Sequence, residues 1–184
     1  VAEIEGDLAS GKRMNRLPLP AARHLSIAAC IGRSFDLSLL AALLPDKSED
    51  ELLAALEEAI AEHLIEPVPD SHAFRFGHAL IRETLYDEML AVRRARLHLR
   101  IGETLEQRHG SDDAGVWPQL AYHFSEAGPG AAARALGYAR RAGEHAARLL
   151  AFEESARLHG VALQLLQRHF ADDTAQRCEV LLAL

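Results

Sequence analysis

Residues 48–77 read SEDELLAALEEAIAEHLIEPVPDSHAFRFG, and this stretch decides the fold because it joins a well-marked helix to a short hairpin. Ser48 and Glu51 have the spacing of a capping box at a helix N-terminus. The apolar residues behind them recur at helical spacing: Leu52, Leu53, Leu56, Ile60 and Leu64. Strand-forming residues then flank a Pro69-Asp70-Ser71 turn. The stretch therefore predicts a helix and then a small β-hairpin over residues 64–68 and 73–77.

Two further helices are predicted before this stretch and two after it. Pro20 suits the first turn of a helix that Gly32 ends, and residues 37–44 form a short apolar helix stopped by Pro45. Three helices followed by a hairpin is the order of a winged-helix domain. After the hairpin, helical spacing continues through Ile81 and Leu85 and again over residues 93–109. The first domain is thus predicted over residues 17–109, with 93–109 as its connector helix and residues 1–16 as a preceding linker.

The chain beyond the glycine-containing linker at residues 110–115 is helical again. Residues 136–169 fit one tetratricopeptide (TPR) unit of about 34 residues, with Gly143 where the first helix must be small and Ala162 at a tight contact in the second. Residues 175–184 are expected to be the first helix of a following repeat, truncated at the C-terminus. The predicted fold class is mainly α: a winged-helix domain with a small β-hairpin, followed by TPR-like antiparallel helical repeats over residues 116–184.

The composition is typical of a globular protein, with 49% hydrophobic and 26% charged residues. No apolar run is long enough for a membrane helix, so we expect a cytoplasmic protein without membrane contact. The net charge of −7 disfavours DNA as a partner of this chain. Cys30 and Cys178 both lie in helical patterns, where we expect them to be packing residues.

No catalytic or metal-binding pattern is found in the sequence. Residues 6–13, GDLASGKR, imitate a phosphate-binding loop, but Arg13 stands where a magnesium-binding hydroxyl is required. The ten histidines lack the paired spacing of a metal site, and no nucleophile lies in a recognisable elbow. We therefore expect no catalytic residue, no metal and no cofactor within this chain, and histidines that are polar surface residues or helix ends.

Three segments carry a resemblance to a known class of proteins. Residues 74–86, FRFGHALIRETLY, resemble the winged-helix region of signal-transduction ATPases with numerous domains (STAND ATPases), specifically the large bacterial LuxR-type transcriptional regulators and related cyclase or kinase regulators. Residues 28–36, AACIGRSFD, look like the turn after the first winged-helix element of that family. Residues 93–98, RRARLH, look like its connector helix. The resemblance covers about residues 17–184.

The resemblance implies a regulatory role and a task for one histidine. In such proteins a nucleotide-binding domain precedes the winged helix, helical repeats follow it, and an effector domain lies at one end. ADP or ATP is then expected in the full-length protein, and the winged helix packs on its own nucleotide-binding domain. His78 matches the histidine of the Met-His-Asp motif, which reaches the nucleotide phosphate in the closed state. Gly77 and Ala79 replace the flanking residues, which removes the acidic side chain that would orient the ring.

The repeats are the expected contact region for an unknown inducer or protein. Candidate contributors on their inward face, which could equally join neighbouring helices, are Tyr138, Arg141, His145, Leu149 and His159. In this interpretation DNA is bound only through a domain outside the chain.

Two alternatives remain open. A DNA-binding winged-helix transcription factor with a helical dimerisation domain is favoured by the arginines within residues 93–108 and opposed by the net acidity. An enzyme that uses His78 as a general base would need a partner group that the sequence does not identify.

Overall fold

The computed structural model describes residues 19–183, which are mainly helical with one small antiparallel sheet. They form two compact units that divide between Arg94 and Ala95. The predicted linker and the loop-like residues 6–13 lie outside the described residues. None of the described helices has the length and apolar character needed to cross a bilayer.

The first unit contains four helices and the three strands of the sheet within the described residues. Its elements, in chain order, are α1 Leu19–Ile31, β1 Ser34–Asp36, α2 Leu37–Leu43, α3 Glu49–Ala61, β2 Ile65–Pro67, β3 Ala73–Phe76 and α4 Ala79–Asp87.

The predicted capping box and hairpin are both confirmed. The Glu51 backbone N–H donates to Ser48 Oγ at 3.2 Å, and the Ser48 N–H donates to Glu51 Oε2 at 3.0 Å, so α3 begins where the sequence indicated. Leu52 and Leu56 on its apolar face are buried. The strands β2 and β3 pair antiparallel across the turn, with Ile65 opposite Phe76.

The sheet has a third strand that the sequence analysis treated as a turn. Its strand order is β1-β3-β2, so β3 is central, and Phe35 of β1 lies opposite Phe74 of β3 with their ring centroids 5.8 Å apart. Asp36 ends β1 and caps α2 by accepting from the Leu39 N–H at 2.6 Å. The strand is therefore fixed by a pairing distant in sequence and by a helix cap at its end.

The second unit is built from helices alone. Helix α5 Ala91–His109 enters it at Ala95, and the later elements are α6 Trp117–Glu126, a 3₁₀ turn Pro129–Ala131, α7 Ala132–Arg148, α8 Phe152–His169 and α9 Thr174–Ala183. Helix α7 packs against both α6 and α8, and α9 packs against α8. The unit boundary falls inside α5, whereas the sequence placed the domain boundary after residue 109.

In two helix contacts of this unit, a glycine of one helix packs against an aromatic ring of the other. A Cβ at Gly102 of α5 would lie 2.6 Å from the Phe124 ring of α6, and a Cβ at Gly143 of α7 would lie 2.6 Å from the His159 ring of α8. Any side chain at either glycine would collide with its neighbour. The pairs α5 with α6 and α7 with α8 thus approach each other in the same way.

Candidate functional site

His78 lies at the junction between the central strand and helix α4. It is the N-cap residue of α4, its side chain is exposed, and its Nδ1 accepts a hydrogen bond from the Leu80 N–H at 3.3 Å. The helix behind it is fixed to the unit, because Ile81 and Leu85 are buried and Arg82 Nε donates to the Ala29 carbonyl at 3.1 Å. His78 is therefore presented from a fixed helix end.

The cap bond also sets which ring nitrogen of His78 can donate. Because Nδ1 is the acceptor, the neutral ring carries its proton on Nε2, the nitrogen directed away from the cap. An exposed imidazole N–H can donate to an anionic oxygen such as that of a phosphate. The backbone is close to the preceding residue, since a Cβ at Gly77 would lie 3.1 Å from the His63 carbonyl oxygen, a distance that requires a small shift of that carbonyl. This close approach favours glycine at position 77.

Three of the five residues predicted for a partner surface, Arg141, His145 and Tyr138, form a group with the Trp117 indole. The Arg141 guanidinium lies 4.2 Å from the centroid of the Trp117 ring, and His145 meets the same ring edge-on at 5.8 Å. Arg141 also pairs with Asp112 at 2.9 Å. Tyr138 completes the group with its ring 5.8 Å from the same guanidinium. These side chains join α6 and α7 to each other.

Tyr138 is buried and takes part in a polar network. Its hydroxyl donates to the Glu106 carboxylate, which also accepts from Arg134. Burial, followed by the hydrogen bond to Glu106, raises the pKa of Tyr138 to about 12. Arg134 in turn lies 3.9 Å over the Phe124 ring. The network links α5, α6 and α7.

The other two predicted surface residues lie apart from this group. His159 is 3% exposed, packs on Gly143, and lies with its Nδ1 3.0 Å from the Ser155 carbonyl oxygen, inside the contact between α7 and α8. Leu149 is 66% exposed in the turn that joins these helices. The five residues therefore do not form one continuous surface.

The histidines were expected to be surface residues or helix ends, but His24, His98 and His159 are buried within their helices, and His123 is buried in the last turn of α6. His98 and His123 face each other across α5 and α6 with their Nδ1 atoms 2.9 Å apart. A helical-spacing signal was present, since His98 stands three residues before the core residue Ile101.

A cleft of about 270 Å³, which no sequence pattern indicated, lies between α6 and α8, and we call it the α6–α8 cleft. Helix α6 contributes Pro118, Ala121, Tyr122, Ser125 and Glu126, and helix α8 contributes Arg157, Leu158, Val161, Gln164, Leu165 and Arg168. Ala121 and Ser125 are small, which leaves the space open. The cleft combines an apolar floor with a polar rim and suits reversible binding. Among residues 19–183, no group of three or more histidine, cysteine or acidic side chains could hold a metal ion.

The chain is similar to part of a longer protein. It is 32% identical over 169 residues to a protein of Rhizobium meliloti (strain 1021) described as "Uncharacterized protein R02095". The match covers 89% of this chain and 16% of the relative, so the chain spans about one sixth of that protein's length. No family model matches the chain, and no solved structure matches it.

Proposed function

We propose that the chain is a non-catalytic regulatory and sensor segment of a multidomain signal-transduction ATPase of the LuxR-type transcriptional-regulator kind. Its first unit is a winged-helix domain that packs on a nucleotide-binding domain elsewhere in the same protein. The helices that follow are TPR-like repeats that bind a ligand or a protein partner. The much longer relative supports this, because a segment of one sixth of its length leaves room for the other domains.

The first unit supports the winged-helix assignment by the order and pairing of its elements. Three helices precede the hairpin formed by β2 and β3, and β1 completes a three-stranded antiparallel sheet. The buried face of α4 continues the same core, so the hairpin and the helix after it are held together. Such an arrangement presents the hairpin end as a rigid surface for another domain.

The second unit supports the repeat assignment by ion pairs that join alternate helices. Arg134, near the start of α7, bonds back to Glu106 of α5. Arg140, farther along α7, pairs forward with Glu179 of α9 at 2.8 Å. These ion pairs join alternate helices, α5 to α7 and α7 to α9, as expected where helix pairs stack on neighbouring pairs. The exposed Leu181 and Leu182 of α9 are available for a following helix.

The position of His78 is the single observation that carries the proposal. The imidazole is exposed at a fixed helix end, with Nε2 as its outward donor. A donor in this place would bond a phosphate oxygen of ADP bound to the adjoining domain and hold the two domains closed. ATP would favour the open state, because a ligand shifts such an equilibrium only through its different affinities for the two states.

Hydrogen exchange of the full-length protein, measured by mass spectrometry with ADP and with ATP, tests the closed state directly. We expect peptides covering residues 73–87 to exchange more slowly with ADP than with ATP. Peptides from α7 are the internal control and should exchange equally. Equal protection of residues 73–87 in both nucleotides would refute the packing of this unit on the nucleotide-binding domain.

A further inference from the structure

The α6–α8 cleft lies between two facing helical stripes in the second unit. Its α6 residues recur at positions i, i+3, i+4, i+7 and i+8, which is one face of a helix. Its α8 residues recur at positions i, i+1, i+4, i+7, i+8 and i+11, which is also one face of a helix, and α7 packs against both helices. The cleft is therefore set by the packing of three helices and is present without a ligand.

We propose that the α6–α8 cleft binds a small carboxylate with an apolar body. This inference deepens the proposed function, because it names the class of ligand that the helical repeats would sense. Only the biological role of the binding rests on the proposed function. The recognition itself follows from the charges, exposure and volume of the cleft.

The two arginines of the cleft differ in their partners. Arg157 makes a two-bond contact with Glu154, at 2.7 Å from Nε and 2.6 Å from Nη2, so its charge is already compensated. Within the described part of the chain, the Arg168 guanidinium makes no hydrogen bond or ion pair. Glu126 lies on the opposite wall and has an interaction of its own. Arg168 is thus the cation available to a carboxylate.

The floor of the cleft would contact the apolar body of the ligand. Ala121, Leu158 and Leu165 are 1%, 2% and 6% exposed, and they form an apolar surface below the rim. Tyr122 is 42% exposed beside them and offers the side of an aromatic ring. A volume of about 270 Å³ is slightly below the roughly 300 Å³ at which sites for drug-sized ligands begin. A benzoate-sized molecule fits these limits.

Three probes separate the contributions of charge and apolar body. Benzoate carries both, benzyl alcohol carries the ring without the charge, and inorganic phosphate carries charge without the ring. Ligand-observed NMR with the 184-residue chain, titrated to about 10 mM, should show benzoate binding at least about tenfold tighter than either other probe. Absence of benzoate binding would overturn the proposal, as would equal binding of benzyl alcohol or of phosphate.

Two variants then test whether Arg168 binds the carboxylate of the ligand. Arg168→Gln should weaken benzoate binding at least about fivefold and leave benzyl alcohol binding unchanged. Arg148→Gln is the matched control, because Arg148 is also an arginine in the last turn of its helix and lies outside the cleft. An equal loss in both variants would show a general charge effect and overturn the assignment of Arg168.

A filling substitution tests the location of the site. Ser125→Leu should abolish binding of both ring-containing probes, with the far-UV circular dichroism unchanged, because the larger side chain occupies the cleft. Retained binding would place the ligand elsewhere and overturn the proposal. These tests use no nucleotide. A failure here is therefore distinguishable from a failure of the proposed hydrogen bond between His78 and the phosphate of ADP.

Discussion

The imidazole of His159 occupies the space that any side chain at Gly143 would need, since a Cβ there would lie 2.6 Å from the ring. The ring cannot move away at little cost, because it is buried and its Nδ1 lies 3.0 Å from the Ser155 carbonyl oxygen. Helices α7 and α8 therefore approach each other at a distance that only glycine permits.

We expect Gly143→Ala to destabilise the second unit by about 1–2 kcal/mol. Overpacking costs about 1–3 kcal/mol, while the better helix propensity of alanine returns at most about 1 kcal/mol. Urea unfolding followed by circular dichroism measures the difference. Gly137→Ala is the matched control on the same helix, where an added Cβ meets nothing within 4 Å. It should stabilise the protein by up to about 1 kcal/mol, and equal effects of the two substitutions would contradict the account.

The cap of α3 should contribute measurably to the first unit. Ser48→Ala removes the acceptor for the Glu51 N–H, and the loss of such a cap costs about 1 kcal/mol. Urea unfolding measures this cost as well. Ser111→Ala, an exposed serine in the loop before α6, is the control and should change stability by less than about 0.5 kcal/mol. A cost at Ser48 no larger than at Ser111 would show that the cap is dispensable.

The charge of Glu51 should make part of this stability depend on pH. The hydrogen bond from the Ser48 backbone, followed by that from Lys47, holds the pKa of Glu51 below its ordinary value of 4.5. A depressed folded-state pKa gives stability that is present above the unfolded-state pKa and is lost as pH falls through the folded-state value. The difference in urea midpoint between the wild type and Glu51→Gln should be present at pH 7 and fade below pH 4.5. A difference independent of pH would contradict this assignment.

The two cysteines should react at very different rates. Burial raises the pKa of Cys30 to about 11, and its side chain is 0% exposed, whereas Cys178 is exposed on α9. The sequence analysis expected both to be packing residues, which is wrong for Cys178. In the native protein at about pH 8, Ellman's reagent should label one thiol rapidly, and the second only after unfolding. Rapid labelling of the Cys178→Ser variant would contradict the burial of Cys30.

The sequence predicted the elements whose signals are local. The capping box at Ser48 and Glu51 located α3, and the run of strand-forming residues around the turn located the hairpin. Strand β1 was not predicted, because three residues with one buried aromatic, Phe35, show no periodicity. Their pairing with β3 depends on tertiary contact. Local propensity is a weak guide wherever a distant partner decides the conformation.

The candidate sites were harder to predict for a related reason. His78 was identified from the family motif that residues 74–86 resemble, and its cap bond shows that it lies at a helix end. The α6–α8 cleft depends on the absence of bulk at Ala121 and Ser125 and on which helices become neighbours. Tyr138 and His159 were candidates for a partner surface or for joining neighbouring helices, and both satisfy their polar atoms inside helix contacts.

The most direct test of the central claim is nucleotide affinity of the full-length protein and its His78→Ala variant, measured by calorimetry with ADP and with ATP. His72→Ala, another exposed histidine beside the hairpin, is the control. The account predicts that His78→Ala weakens ADP binding by about tenfold, which corresponds to about 1.4 kcal/mol, and leaves ATP binding and the control unchanged. Equal ADP affinities in the wild type and His78→Ala would contradict the proposed hydrogen bond between His78 and the phosphate of ADP. They would also contradict the regulatory role assigned to the first unit.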